Sequence, residues 1–135
     1  MINKKRGQSL TEFAIILPIF LLIVFGIFDV GRAIFYYSGI HNAAREGARY
    51  GAVNPCDPAD IVQRARDFSF GLGDAVNVSS SIQNTAEGAM DRMIVTVTYQ
   101  FTTITPFVGS IIGNDGSILL TSQSRQFIEV RTECP

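Results

Sequence analysis

Few residues of this 135-residue chain could do chemistry. Glu12 is the most exposed to scrutiny: in "KKRGQSLTEF" it stands behind Lys4, Lys5, Arg6, Gly7 and Gln8, at the mouth of the sixteen-residue uncharged run Phe13–Phe28. A carboxylate at the centre of a membrane span costs about 2.5–3.5 kcal/mol on insertion scales and less near an interface. Its chemistry is therefore charge: it reaches water, or it meets a cation. Cys56 in "NPCDPAD" and Cys134 in "RTECP" offer a second chemistry. In an oxidising compartment they would close a loop of about eighty residues, adding roughly 3–4 kcal/mol on a loop-entropy account. An intramolecular disulfide is expected, with two thiols or an intermolecular bridge as the alternatives.

Catalytic patterns are missing. His41 is the only histidine and has no evident partner, and there is no GxSxG elbow, Walker loop or GxGxxG fingerprint. "FGLGD" reads as a helix stop. Asp57 and Asp60 suit a helix N-terminus, where a cap residue spends its oxygen on backbone amides. One histidine and no CxxC spacing give no metal site. The residues thus predict a protein that is not an enzyme and needs no metal, cofactor or small-molecule substrate. Net charge is −1 and the pI is 5.7, which leaves no basic field for nucleic acid.

The elements that must position these residues start with the apolar run. Leu10 to Val30 is twenty-one residues with only Thr11, Glu12 and Asp29 polar, enough for a span of about twenty residues. A retained span over about 10–30 is expected rather than a cleaved secretory signal. The cationic flank before it predicts an N-terminus in the cytoplasm and everything after Arg32 outside. Without a proline from Val30 to Tyr50, the helix should continue past the membrane. Gly39, Ala43, Gly47 and Gly51 recur every four residues along it, with Ala44, Ala48 and Ala52 beside them. Such rows permit close approach of another backbone, so they predict a packing face.

Beyond "NPCDPAD", Asp57 caps a second helix with Pro58 at its first position, and Ile61, Val62, Ala65 and Phe68 share a face. The period then changes to two: Val76 to Ile82, Met93 to Phe101, and a third run from Ser117 to Arg131 after the turn "NDG". "TPFVGSIIG" between the last two reads as a short helix or a loop under the sheet. The expected fold is α+β, a long N-terminal helix leading into a small domain with a short helix on a three-stranded antiparallel sheet. Its parts are a basic leader over 1–7, a long helix over 8–52 and an extracytoplasmic domain over 53–135.

"KKRG" followed by "QSLTEF" and an apolar helix resembles the prepilin leader of type IV pilins and pseudopilins. "NAAREGARYGA", Asn42 to Ala52, resembles the stretch after the membrane helix in TadE-like proteins, the minor pilins or pseudopilins of tight-adherence (Flp) pili. "VTVTYQFTTITPFVG" with "ILLTSQS" is similar to that family's C-terminal half. TadG-like proteins are longer, with a further domain; TadF-like proteins share the leader and the size. Phe13 stands where such leaders often carry Tyr or Leu after the acid, and Pro18 within the run fits a kink or a locally melted turn.

The resemblance implies that a membrane aspartyl protease, the prepilin peptidase, recognises Lys4, Lys5 and Arg6 and cuts between Gly7 and Gln8. It implies that Glu12 then pairs with the new amine of Gln8, in its own chain or a neighbour's. The implied partners are the membrane, the peptidase, other pilin or pseudopilin subunits and the tight-adherence machinery. A rival reading is a permanently anchored single-pass envelope binding module that is never cut. A membrane-tethered hydrolase would need a nucleophile and base that the sequence does not display.

Overall fold

A computed structural model describes residues 4–84, 90–105 and 116–128, with side chains from Gln8 onward. Helix α1 runs Lys4–Val53, α2 Pro58–Asp67, and strands β1 Val76–Gln83, β2 Arg92–Thr102 and β3 Ser117–Phe127 follow in order. The class is α+β with a three-stranded antiparallel sheet ordered β1-β2-β3, as the sequence predicts. Two compact units divide the chain: Met1–Arg32 with Thr102–Ser117, and Ala33–Phe101 with Ile118–Pro135.

α1 forms because its apolar first half can satisfy every backbone group only within the segment when water is absent. It runs without interruption through Pro18, so no melted turn forms there. Pro18 has no N–H to offer the carbonyl one turn back, and that single hydrogen bond is forgone. The helix ends where Pro55 disfavours helical geometry in Asn54, whose N–H makes a last bond of 2.9 Å to the Tyr50 carbonyl. After the turn Asp57 caps α2 through its side chain, which accepts from the Asp60 N–H at 3.2 Å, and Pro58 occupies the first position.

In the second unit one face of β2 is sealed. Met93, Val95, Val97 and Phe101 are buried, and Ile94, Thr96, Thr98 and Gln100 point the other way. β1 pairs with β2 antiparallel from Val76 opposite Tyr99 to Gln83 opposite Arg92, which brings Val76 and Val78 to the same inner face. The third strand stops at Phe127, short of the expected Arg131; residues beyond 128 lie outside the described part of the chain, as does most of "TPFVGSIIG". Against the inner face lie Ile61 and Ala65 of α2 and Ile40, Ala43, Ala44 and Ala48 of α1.

The approach of α1 is close because it carries so little side chain there. A Cβ on Gly47 would stand 3.0 Å from the Ala65 Cβ and 3.2 Å from Val95 Cγ1. On Gly51 it would meet Met93 Cγ at 2.8 Å and Ile61 Cδ1 at 2.9 Å, and on Gly39 the Ser69 carbonyl at 3.2 Å. The small-residue row therefore faces α2, β2 and the loop after α2 of the same chain. Gly47 is the least forgiving position, since the Ala65 methyl has no rotamer by which to retreat. Replacing Gly47 with Leu should destabilise the domain by about 1–3 kcal/mol, the usual range for overpacking. Thermal unfolding of the full chain in detergent checks this: a lowered midpoint is expected, and an unchanged or raised one would contradict the packing.

Candidate functional site

The two acids that bracket the apolar segment of α1 differ in environment. Glu12 is exposed, and its Oε1 accepts a hydrogen bond from Gln8 Nε2 at 3.5 Å, the long limit for such a bond. Gln8 and Glu12 are one turn apart on the helix, about 6 Å along its axis. Around them Leu10, Phe13, Ile15, Ile16 and Ile19 are also exposed. α1 is long and apolar enough, by length and composition, to cross a membrane. Gly7 and the cations Lys4, Lys5 and Arg6 lie within the first turns of α1, and their side chains are outside the described part.

Asp29 is the opposite case. It is only 4% exposed. Its Oδ1 accepts the Ile104 N–H at 3.0 Å and its Oδ2 accepts the Thr105 N–H at 2.9 Å. Arg32 Nη1 stands 3.5 Å from Oδ1, one helical turn on. Nearby, the Thr103 N–H and hydroxyl both donate to the Gly116 carbonyl, at 3.0 and 3.1 Å, and Gly116 takes a positive φ of 70° that glycine accepts freely. Ionised carboxylates bonded by backbone amides are among the stronger hydrogen-bonded groups. Asp29 therefore ties α1 to the segment after β2. The sequence marks it only as a polar residue at the end of the span; its partners are 75 and 76 positions away, and no local pattern announces them.

Other chemically capable residues among those described serve the packing of the fold. His41 Nδ1 lies 3.2 Å from Ser122 Oγ, and the imidazole stacks on Tyr37. Ser122 is buried on β3, so this contact joins α1 to the sheet instead of offering a hydroxyl to a substrate. Asp60 accepts from the Tyr50 hydroxyl at 3.3 Å; desolvation first, then the nearby Asp60 charge, push the Tyr50 phenol above its ordinary value. Among the described residues no cluster of His, Cys, Asp and Glu could hold a metal. Cys56 lies in the turn before α2, and its expected partner Cys134 is outside the described residues.

Residues 7–49 match the family model described as TadE-like protein. The match begins at the glycine of the leader pattern and takes in Glu12, the apolar run, Asp29, and the first three members of the small-residue row. It is the family that the sequence resembles. No curated protein and no solved structure matches the chain.

Removing the Asp29 carboxylate leaves the buried Thr105 amide and the part-buried Ile104 amide without an acceptor, at about 1–3 kcal/mol for an unsatisfied buried group. Asp29→Ala should accelerate hydrogen exchange at the Ile104 and Thr105 amides, with Asp29→Asn, which keeps one acceptor oxygen, between it and the native protein. Equal protection in all three proteins would show that the carboxylate does not hold this segment.

Proposed function

We propose that this chain, with its TadE-like segment over residues 7–49, is a non-enzymatic minor pilin or pseudopilin of a tight-adherence pilus. It is held in the cytoplasmic membrane by α1 with the N-terminus inside, cut after Gly7 by a prepilin peptidase, and passed to pilus assembly. The observation that carries this reading is Glu12: an acid left exposed among apolar residues on the matched helix, with no buried partner like the amides that hold Asp29. One carboxylate is fully satisfied within the fold and the other is left outward, which supports a partner for Glu12 that the chain supplies later or another chain supplies.

Processing would supply it. The Gly7–Gln8 bond falls just inside the start of α1, next to the four amide N–H groups that lack intrahelical acceptors at the beginning of any helix. Glycine weakens that turn further, by about 1 kcal/mol relative to alanine. Opening the turn for a protease is therefore inexpensive. The cut creates an ammonium on Gln8 one turn from Glu12 and removes Lys4, Lys5 and Arg6, changing the formal net charge from −1 to −4. Loss of the three cations frees the helix from the cytoplasmic interface that holds basic flanks. The new amine can pair with Glu12 in the same or a neighbouring helix, which fixes axial register between packed subunits. Partners on this reading are the peptidase, other pilin or pseudopilin subunits and the secretion machinery. The oxidising side of the membrane is also where Cys56 and Cys134 would be bridged.

Glu12→Ala should leave processing intact while depleting assembled pili. Charge-assisted hydrogen bonds contribute about 1.5–3 kcal/mol, roughly ten- to hundredfold in subunit association. Pili sheared from cells carrying the variant and quantified against wild type provide the check, and normal yield would remove Glu12 from assembly.

A further inference from the structure

The loop after α2 presents an aromatic side chain outward in a conformation that aromatic residues rarely adopt. Phe70 has φ of 53°, in the left-handed region, and is 56% exposed. Its neighbour Ser69 is fully buried and over-determined: its hydroxyl donates to the Arg66 carbonyl at 2.6 Å and accepts the Gly73 N–H at 3.0 Å, while its carbonyl accepts the Leu72 N–H at 3.3 Å. Asn42 of α1 clamps the other side by donating to the Phe68 carbonyl at 3.1 Å. The loop also lies close to α1: a Cβ at position 39 would stand 3.2 Å from the Ser69 carbonyl oxygen and 3.3 Å from Phe70 Cδ2. Phe70 is thus held outward by a rigid frame, and its ring stacks on Phe35 of α1, with centroids 6.2 Å apart and planes 30° apart. Phe35 is itself 56% exposed.

Phe35 follows Val30, the end of the apolar segment, by five residues, about 7.5 Å along a helix. That matches the polar layer on one side of a bilayer, whose hydrocarbon core is about 30 Å thick within a total of about 40–45 Å. The exposed apolar surface does not stop at Val30; Ile34, Phe35 and Tyr37 continue it along α1. Resting on the membrane-span reading, we propose that Phe35 and Phe70 form a two-ring platform seated in the lipid headgroup layer. This monotopic contact belongs to the folded domain. The occupant is lipid because Phe35 follows the apolar segment within five residues on the same helix, and Ile34 and Tyr37 beside it are exposed too.

The chain contains no tryptophan, so single Trp replacements report locally. The full-length protein is reconstituted into phosphatidylcholine–phosphatidylglycerol vesicles, with or without bromine atoms near the top of the acyl chains. Phe70→Trp and Phe35→Trp should both give blue-shifted emission that brominated lipid quenches. Phe20→Trp, inside the span, should be quenched too. Val53→Trp, twenty-three residues and about 35 Å beyond Val30 along α1, should not. If Phe20→Trp is not quenched, the span reading fails and the platform with it. Quenching of Phe20→Trp with none at Phe70→Trp overturns the platform alone. Blue-shifted but unquenched emission from Phe70→Trp, the signature of a protein partner or a second copy covering it, overturns it equally. Because Phe35 sits on regular helix, its variant decides the matter even if Phe70→Trp disturbs the loop.

Discussion

The folded unit depends on a helix that brings almost no side-chain volume to its own interface. At Gly47 the α1 backbone stands against the methyl of Ala65 and a methyl of Val95, and at Gly51 against Met93 and Ile61. Two secondary-structure layers and α2 meet at one narrow line. Glycine in a helix is unfavourable by about 1 kcal/mol relative to alanine, so this helix gives up intrinsic stability for dense packing of β2 and α2 onto it. The same arrangement commits the lower part of α1 to the domain. Residues from Ala33 onward belong to the compact unit that holds the sheet, and the helix that could cross a membrane is the same one that organises the core.

That double duty explains the contrast between the acids. Asp29 lies near the end of the apolar segment, and its charge is absorbed by the Ile104 and Thr105 amides and by Arg32. A buried carboxylate so provided for is a structural tie, and breaking it by removing one side is costly because the amides stay behind. Glu12 is exposed and meets Gln8 only at the limit of hydrogen-bond distance. In hydrocarbon an unpaired acid is unfavourable. Its persistence among apolar residues is the strongest physical reason to read α1 as a helix that meets other helices.

Much of the fold was legible because the signals were local. Asp57 with Pro58 marked the start of α2, the alternation from Met93 to Phe101 marked the buried face of β2, and Asn54-Pro55 marked the end of α1. The glycine row announced a packing face, but its occupant was not legible, because spacing states only that something comes close. What the sequence hid was long-range. The His41–Ser122 contact joins residues 81 positions apart and the Asp29 tie joins residues 75 and 76 apart. No propensity or period links such positions. The outward turn at Phe70 was hidden too, since "FSFGLGD" reads as a helix stop and its glycines draw attention away from the phenylalanine that takes the left-handed conformation.

On the proposed function this chain is a substrate before it is a subunit, and the cation that would pair with Glu12 does not exist until the leader is removed. Intact-mass measurement of the full chain, co-expressed with the prepilin peptidase of its own system, tests this most directly. The expected product is a protein shortened by residues 1–7 and beginning at Gln8. A mass that retains the whole leader under those conditions would contradict it.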